Sequence, residues 1–142
     1  MCNTKSKRKP PTKLVASYIF PVKPMGAPRQ TQRDKWKKRP VVGRYHEFKD
    51  MVRMYAKAQG FKWNKKQWLS FYFEVPMPKS WPKYKKAEME GMEHDEKPDI
   101  DNMLKAMLDT LLKEDKSVAK LYMVTSEWSR NPLITMELWE DM

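Results

Sequence analysis

Two aspartates, two residues apart, are the side chains with the clearest chemical potential in this sequence. Asp99 and Asp101 lie in residues 97–105, which read Lys-Pro-Asp-Ile-Asp-Asn-Met-Leu-Lys. In extended backbone, residues i and i+2 point to one side, so two carboxylates there repel unless a hard cation lies between them. Mg²⁺ is typically held by one or two carboxylates and several waters, and a metal there can position a phosphate and activate water. The alternative is a helix cap followed by a solvated acid, which is the commoner meaning of Asp-x-Asp before a helix.

An amphipathic helix is predicted directly after this pair, over residues 102 to about 113. Asp101 stands where an N-cap belongs. Asn102, Lys105 and Asp109 form the polar face of this helix. Apolar residues at helical spacing form the other face: Met103, Leu104, Met107, Leu108, Leu111 and Leu112. We therefore expect the apolar face to fix the helix on the core and the polar face to lie beside the two aspartates.

The remaining elements predict an α+β domain with a mixed sheet packed against two main helices. Alternation and bounding turn residues predict strands over residues 14–20, 68–75, 118–125 and 133–139. Helical spacing predicts a first helix over residues 44–59, after a Pro- and Gly-containing loop over residues 21–43. A short helix over residues 81–91, capped by Ser80, is expected in the connection that leads to the aspartates.

The net charge of +11 is concentrated at the N-terminus. Residues 1–44 hold 13 Lys and Arg and one acid, whereas the other 98 residues hold 16 basic and 17 acidic side chains. A basic flank beside an acidic centre suits a nuclease, because one part attracts phosphates and the other cuts. A basic segment that binds nucleic acid loosely or aids solubility is the alternative.

Composition limits the class of protein further. The 142 residues are enough for one domain with a core, and we expect a disordered basic arm over residues 1–12 and one domain over residues 13–142. No run of about 18 apolar residues occurs, and the basic N-terminal residues lack a following apolar stretch, so we expect neither a membrane span nor secretion. Cys2 is the only cysteine, so an internal disulfide and a Cys/His zinc site are excluded, and a cytoplasmic location is the default.

The string Lys-Pro-Asp-Ile-Asp-Asn-Met-Leu-Lys-Ala-Met-Leu-Asp over residues 97–109 resembles the signature of the RusA family of Holliday junction resolvases. The loop containing Gly26-Ala27-Pro28-Arg29 and Arg33-Asp34-Lys35-Trp36 is similar to stretches in phage members of that family. The resemblance implies a RusA-like fold and a Mg²⁺-dependent endonuclease, with Mn²⁺ as the alternative metal. It also implies a homodimer that cuts four-way DNA junctions by paired symmetric nicks, in a bacterial or phage-infected cell.

The same resemblance assigns roles to individual residues. Asp99, Asp101 and Asp115 match the metal-binding and catalytic acids, and Lys105 matches a catalytic lysine. Residues on the substrate side are Arg29, Arg33, Lys97 and His94, and supporting residues are Asn102, Asp109 and Glu114. Asp109 is expected to orient Lys105.

Some assignments leave alternatives open. Lys105 could instead form an i,i+4 pair with Asp101 or Asp109. His94 is either a substrate contact or an idle, solvent-exposed histidine. The segment from Lys105 to the third acid is about four residues shorter than the family pattern, so Glu114 could replace Asp115 as the ligand. A non-catalytic nucleic-acid-binding module with an incomplete metal site is therefore the competing hypothesis.

Overall fold

The computed structural model describes residues 11–28, 40–62, 67–112 and 120–141, and these form four strands and three helices. In chain order the elements are β1 (Lys13–Phe20), α1 (Pro40–Ala58), β2 (Trp68–Pro76), α2 (Lys83–Met89), α3 (Ile100–Leu111), β3 (Leu121–Ser129) and β4 (Leu133–Glu140). The expected α+β class is confirmed.

The four strands form one mixed sheet in the order β1-β4-β2-β3. β4 is antiparallel to both β1 and β2, whereas β2 and β3 are parallel. Parallel neighbours need a long crossover connection, because the chain must return to the same end of the sheet. That crossover contains α2, α3 and the two aspartates, so the topology places the motif at one end of the sheet.

One face of the sheet carries the core. Leu69, Phe71, Phe73 and Val75 alternate along β2 and are buried, while Tyr72 and Glu74 between them are half-buried on the other face. The buried helix residues packed in the same cluster are Phe48, Val52 and Ala56 of α1 and Met103, Ala106 and Met107 of α3. The mixed sheet packed against two main helices is therefore confirmed. No helix within the described ranges is long and apolar enough to cross a membrane.

Several helix boundaries differ from the prediction, and α3 begins at Ile100 rather than at residue 102. The first helix begins at Pro40 rather than at residue 44, because proline is well suited to the first helical turn. The predicted Ser80 cap is wrong: α2 begins at Lys83 after Pro82, which has extended backbone and no side-chain cap bond. Trp81 precedes a proline, and that position disfavours helical backbone. At the other end, α2 ends at Met89, two residues before the predicted end, and Gly91, with a φ of 80°, follows the C-cap residue Glu90.

The third strand also differs from the prediction. It extends to Ser129, four residues beyond the predicted end, and residues 118–119 lie outside the described ranges. The extension follows from pairing on both sides. Pro76 pairs with Ser129 on β2, and the segment 91–94 bonds the other edge through Gly91 N to Trp128 O at 2.9 Å and His94 N to Ser126 O at 3.1 Å.

Candidate nuclease site

The start of α3 sets the positions of the two aspartates. Asp99 is the N-cap residue, with extended backbone at φ −66° and ψ 149°, and its carbonyl oxygen accepts the first helical hydrogen bond from Met103 N at 3.0 Å. The predicted N-cap role of Asp101 is therefore wrong. Asp101 lies in the first helical turn, where its Oδ1 accepts a hydrogen bond from Asn102 N at 3.0 Å. The aspartates are not a pair on one extended strand, because only Asp99 has extended backbone.

Both aspartates nevertheless line the same open cleft, which has a volume of about 1120 Å³. The polar wall of this cleft consists of Lys97, Asp99, Asp101, Asn102 and Lys105, joined by Pro98. The opposite wall is largely apolar and consists of Pro24, Met25, Gly26, Ala27, Pro28 and Val41. The structure thus brings five of the predicted site residues together, and four of them have exposed side chains, with Asn102 half-buried.

The apolar wall is the part of the site that the sequence did not predict. Residues 24–28 follow β1 as a loop, and Met25 and Ala27 pack against the core. Ala27 N donates a long hydrogen bond of 3.5 Å to Asn102 O, so the loop is joined to the start of α3. The Gly-Ala-Pro sequence indicated a loop, but only the fold shows that this loop faces the aspartates.

Two exposed carboxylates on one wall are suitable donors for a hard divalent cation. Asp99 and Asp101 flank Ile100 and open onto the same cleft. Within the described ranges, no group of three or more acidic, histidine or cysteine side chains could hold a metal ion. Asp115 and Glu114, the two candidates for a third ligand, lie outside those ranges. The donors present fit a cation that keeps several water ligands, and the third ligand stays a prediction.

Lys105 lies one helical turn beyond Asp101 and has an exposed side chain on the cleft. The ion pairs among the described residues are Arg53–Asp50 and Lys120–Asp141, so within that part of the chain Lys105 is not paired with Asp101 or Asp109. The ammonium group is therefore available on the wall that carries the two carboxylates.

Asp109 lies further along α3 and faces α1. It does not line the cleft, and its charge contributes to raising the pKa of Tyr45, after the larger effect of burial of that phenol. The neighbouring Arg53 Nε donates a hydrogen bond of 3.3 Å to Thr110 O, which also joins the two helices. The expected orienting effect of Asp109 on Lys105 stays a prediction.

His94 is placed away from the cleft and is buried, with 8% of its surface exposed. Its ring lies edge-on to Trp128 with centroids 4.7 Å apart, and its Nδ1 is 3.4 Å from Ser126 Oγ. The alternative of an idle, solvent-exposed histidine is therefore wrong. A substrate contact for His94 stays a prediction, as do those of Arg29 and Arg33, which lie outside the described ranges.

Fold and site together define a small α+β protein with paired acids and a lysine at the start of a crossover helix. The family model for endodeoxyribonuclease RusA matches residues 21–138. The chain therefore belongs to the RusA endodeoxyribonuclease family, and the expected membership is confirmed. Membership makes it a nuclease that acts on DNA. A search of curated proteins gave no match.

Proposed function

We propose that this chain is a Mg²⁺-dependent endonuclease that resolves four-way DNA junctions. The observation that carries the proposal is the joint placement of Asp99, Asp101 and Lys105 on one cleft in a RusA-family domain. Nuclease action on DNA follows from the family. The metal, the junction preference and the residue roles are the proposed part.

The two carboxylates are the proposed metal-binding groups. Asp99 and Asp101 would hold Mg²⁺ or Mn²⁺, with Asp115 or Glu114 as the third ligand. When bound, the metal supplies an activated water and charge neutralisation at the scissile phosphate. The carboxylates are exposed on the cleft, so their oxygens can reach a cation without rearrangement of the core.

Basic side chains on the same wall would place the DNA. Lys105 stabilises negative charge that develops on the phosphate, an effect that depends on a donor held in place before reaction. Lys97, at the start of the motif, contacts the DNA backbone, and Arg29 and Arg33 extend this contact from the basic N-terminal third. Asn102 supports Asp101, with which it already shares a hydrogen bond.

Paired symmetric nicks need two copies of the site. A homodimer provides them, because its two-fold axis matches the symmetry of a four-way junction. Such a dimer would act in the cytoplasm of a bacterial or phage-infected cell, where recombining DNA is found.

The decisive experiment compares a labelled, immobile four-way junction with a linear duplex of the same sequence, each with Mg²⁺, with Mn²⁺ and with EDTA. We expect symmetric nicks only on the junction and only with metal. A salt-sensitive band shift without a cleavage product in either metal would instead support the non-catalytic binding module. Equal cutting of the duplex would leave a nuclease and reject the junction preference.

A further inference from the structure

Gly26, on the loop wall of the cleft, lies close to Asn102 and Pro98 on the polar wall. A Cβ atom built on Gly26 would lie 2.5 Å from Asn102 Nδ2, 3.2 Å from Asn102 Cγ and 3.3 Å from Pro98 Cβ. Real side chains essentially never make Cβ contacts under 3.0 Å. A side chain at position 26 would therefore make the Asn102 amide move, and Asn102 Cγ and Pro98 Cβ would have to give by a few tenths of an ångström.

The constraint at position 26 comes from contact and not from backbone strain. The glycines with positive φ are Gly60 and Gly91 in the described part of the chain, so the φ of Gly26 is one that alanine also adopts. An alanine at position 26 would therefore act on its neighbours. Those neighbours are Pro98 and Asn102, which directly precede Asp99 and directly follow Asp101.

The loop cannot easily move away to make room. Met25 and Ala27 on either side of Gly26 pack against the core, and Val22 at the start of the loop is buried. The amide of Asn102 is the end of a side chain and can rotate. Because Asn102 Cγ would also make a tight contact of 3.2 Å, rotation of the amide about the last bond would leave part of the crowding in place. The expected response is a new rotamer of Asn102 next to the acid pair.

We propose that Gly26 is a positioning residue: by leaving room for the Asn102 side chain, it lets Asn102 and Pro98, which flank the two aspartates in sequence, keep their places on the cleft wall. This inference rests on the proposed function for its catalytic consequence, but its metal-binding consequence can be tested separately. Groups that orient metal ligands typically account for about 10- to 100-fold in metal affinity or activity.

The test uses the full-length protein with Gly26→Ala, Asn102→Ala and the double variant, and Gly43→Ala as the matched control. Gly43 lies exposed in α1, and a Cβ there would meet nothing within 4 Å. The first readout is titration with Mn²⁺ alone by calorimetry. The second is junction cleavage at saturating DNA, with separate determination of kcat and KM.

We expect Gly26→Ala to weaken Mn²⁺ binding about 10- to 100-fold and to lower kcat similarly, with little change in KM. Gly43→Ala should leave both unchanged. In the Asn102→Ala background the clash with the amide is gone, so adding Gly26→Ala should change Mn²⁺ affinity less than about threefold, since contacting residues are not additive. A general loss of folding would instead lower the apparent kcat, the Mn²⁺ binding stoichiometry and thermal stability, without this dependence on Asn102.

Several results would overturn the proposal: wild-type Mn²⁺ affinity in Gly26→Ala, an equal loss in both backgrounds, or no Mn²⁺ binding by the wild-type protein. If Gly26→Ala does not fold, the Asn102→Ala variant alone tests the proposal. A wild-type Mn²⁺ affinity in Asn102→Ala would show that the Asn102 amide has no role in metal binding. A wild-type protein that cuts no junction while the Mn²⁺ pattern holds would reject the proposed function and leave this inference in place.

Discussion

Replacement of Asp101 by asparagine should reduce DNA cleavage strongly while leaving the stability of the fold almost unchanged. The side chain is exposed, and its one hydrogen bond in the described structure is accepted from Asn102 N. Asparagine retains an oxygen for that bond and nearly the same volume. Only the negative charge is removed, from the wall on which Asp99 and Lys105 also lie.

The effect on stability should be small. An exposed carboxylate in the first turn of a helix stabilises it by about 0.3–1 kcal/mol, and loss of repulsion from Asp99 acts in the opposite direction. The unfolding temperature should therefore change by no more than about 4 °C. The effect on cleavage should be large, because Asp101 is a proposed ligand of the metal that would stabilise charge on the phosphate. Removing one such electrostatic contribution typically costs about 10²–10³-fold in kcat, or about 2.7–4 kcal/mol.

The assay measures single-turnover cleavage of the four-way junction with Mg²⁺, and junction affinity in EDTA. Asp50→Asn is the matched control, because Asp50 is an exposed aspartate on α1 whose partner at 3.8 Å is Arg53. Junction affinity of Asp101→Asn in EDTA should equal or exceed that of the wild type, because a charge that repels phosphates is lost. Cleavage within about threefold of the wild type, or an equal loss in Asp50→Asn, would refute the assignment of Asp101.

Three further predictions concern stability and can be checked by urea or thermal unfolding. Met107→Ala should cost about 2–5 kcal/mol, because this side chain is fully buried in the core. His94→Ala should cost about 1–3 kcal/mol through loss of its buried packing, and an unchanged urea midpoint would contradict this. Burial first, and then the charges of Glu127 and Glu90, raise the pKa of Glu74, so its ionisation destabilises the fold as pH rises through that pKa. Glu74→Gln should therefore raise the unfolding temperature at pH 7, and the gain should vanish at about pH 3.5, below the ordinary glutamate pKa of about 4.3.

Elements with a strong local period were predictable from the sequence. The alternation along β2 gave its position to within one residue, because the core face carries buried apolar side chains and the other face carries polar or half-buried ones. The buried face of α3 was only partly predicted. Met103 and Met107 are fully buried as expected, whereas Leu104, Leu108 and Leu111 are partly buried, and Ala106 and Thr110 complete the buried stripe.

The features that the prediction missed depend on contacts between distant residues. His94 is buried because Trp128 and Ser126 of β3 pack against it across 32 or more residues of chain. Gly26 is constrained because Asn102 approaches it from α3. A local sequence pattern does not indicate these contacts. A histidine or glycine in a loop has the same neighbours in sequence whether or not a distant element packs against it.

Helix α3 connects the buried core to the exposed cleft, because one side of the helix packs in the core and the other carries Asp101 and Lys105. Met103 is fully buried, while Asp101 and Lys105, two residues to either side, are exposed on the cleft. Because a helix turns by about 100° per residue, these positions lie on opposite sides of one rigid element. Fixing the buried side against β3 and α1 therefore also fixes the distance between the acidic turn and the loop that contains Gly26. The polar wall of the cleft, with Asp99, Asp101 and Lys105, comes from nearly consecutive residues, but the opposite wall comes from the loop after β1 and the start of α1. The width of the cleft is thus set by packing of the core, to which the side chains of Met25 and Met103 both contribute.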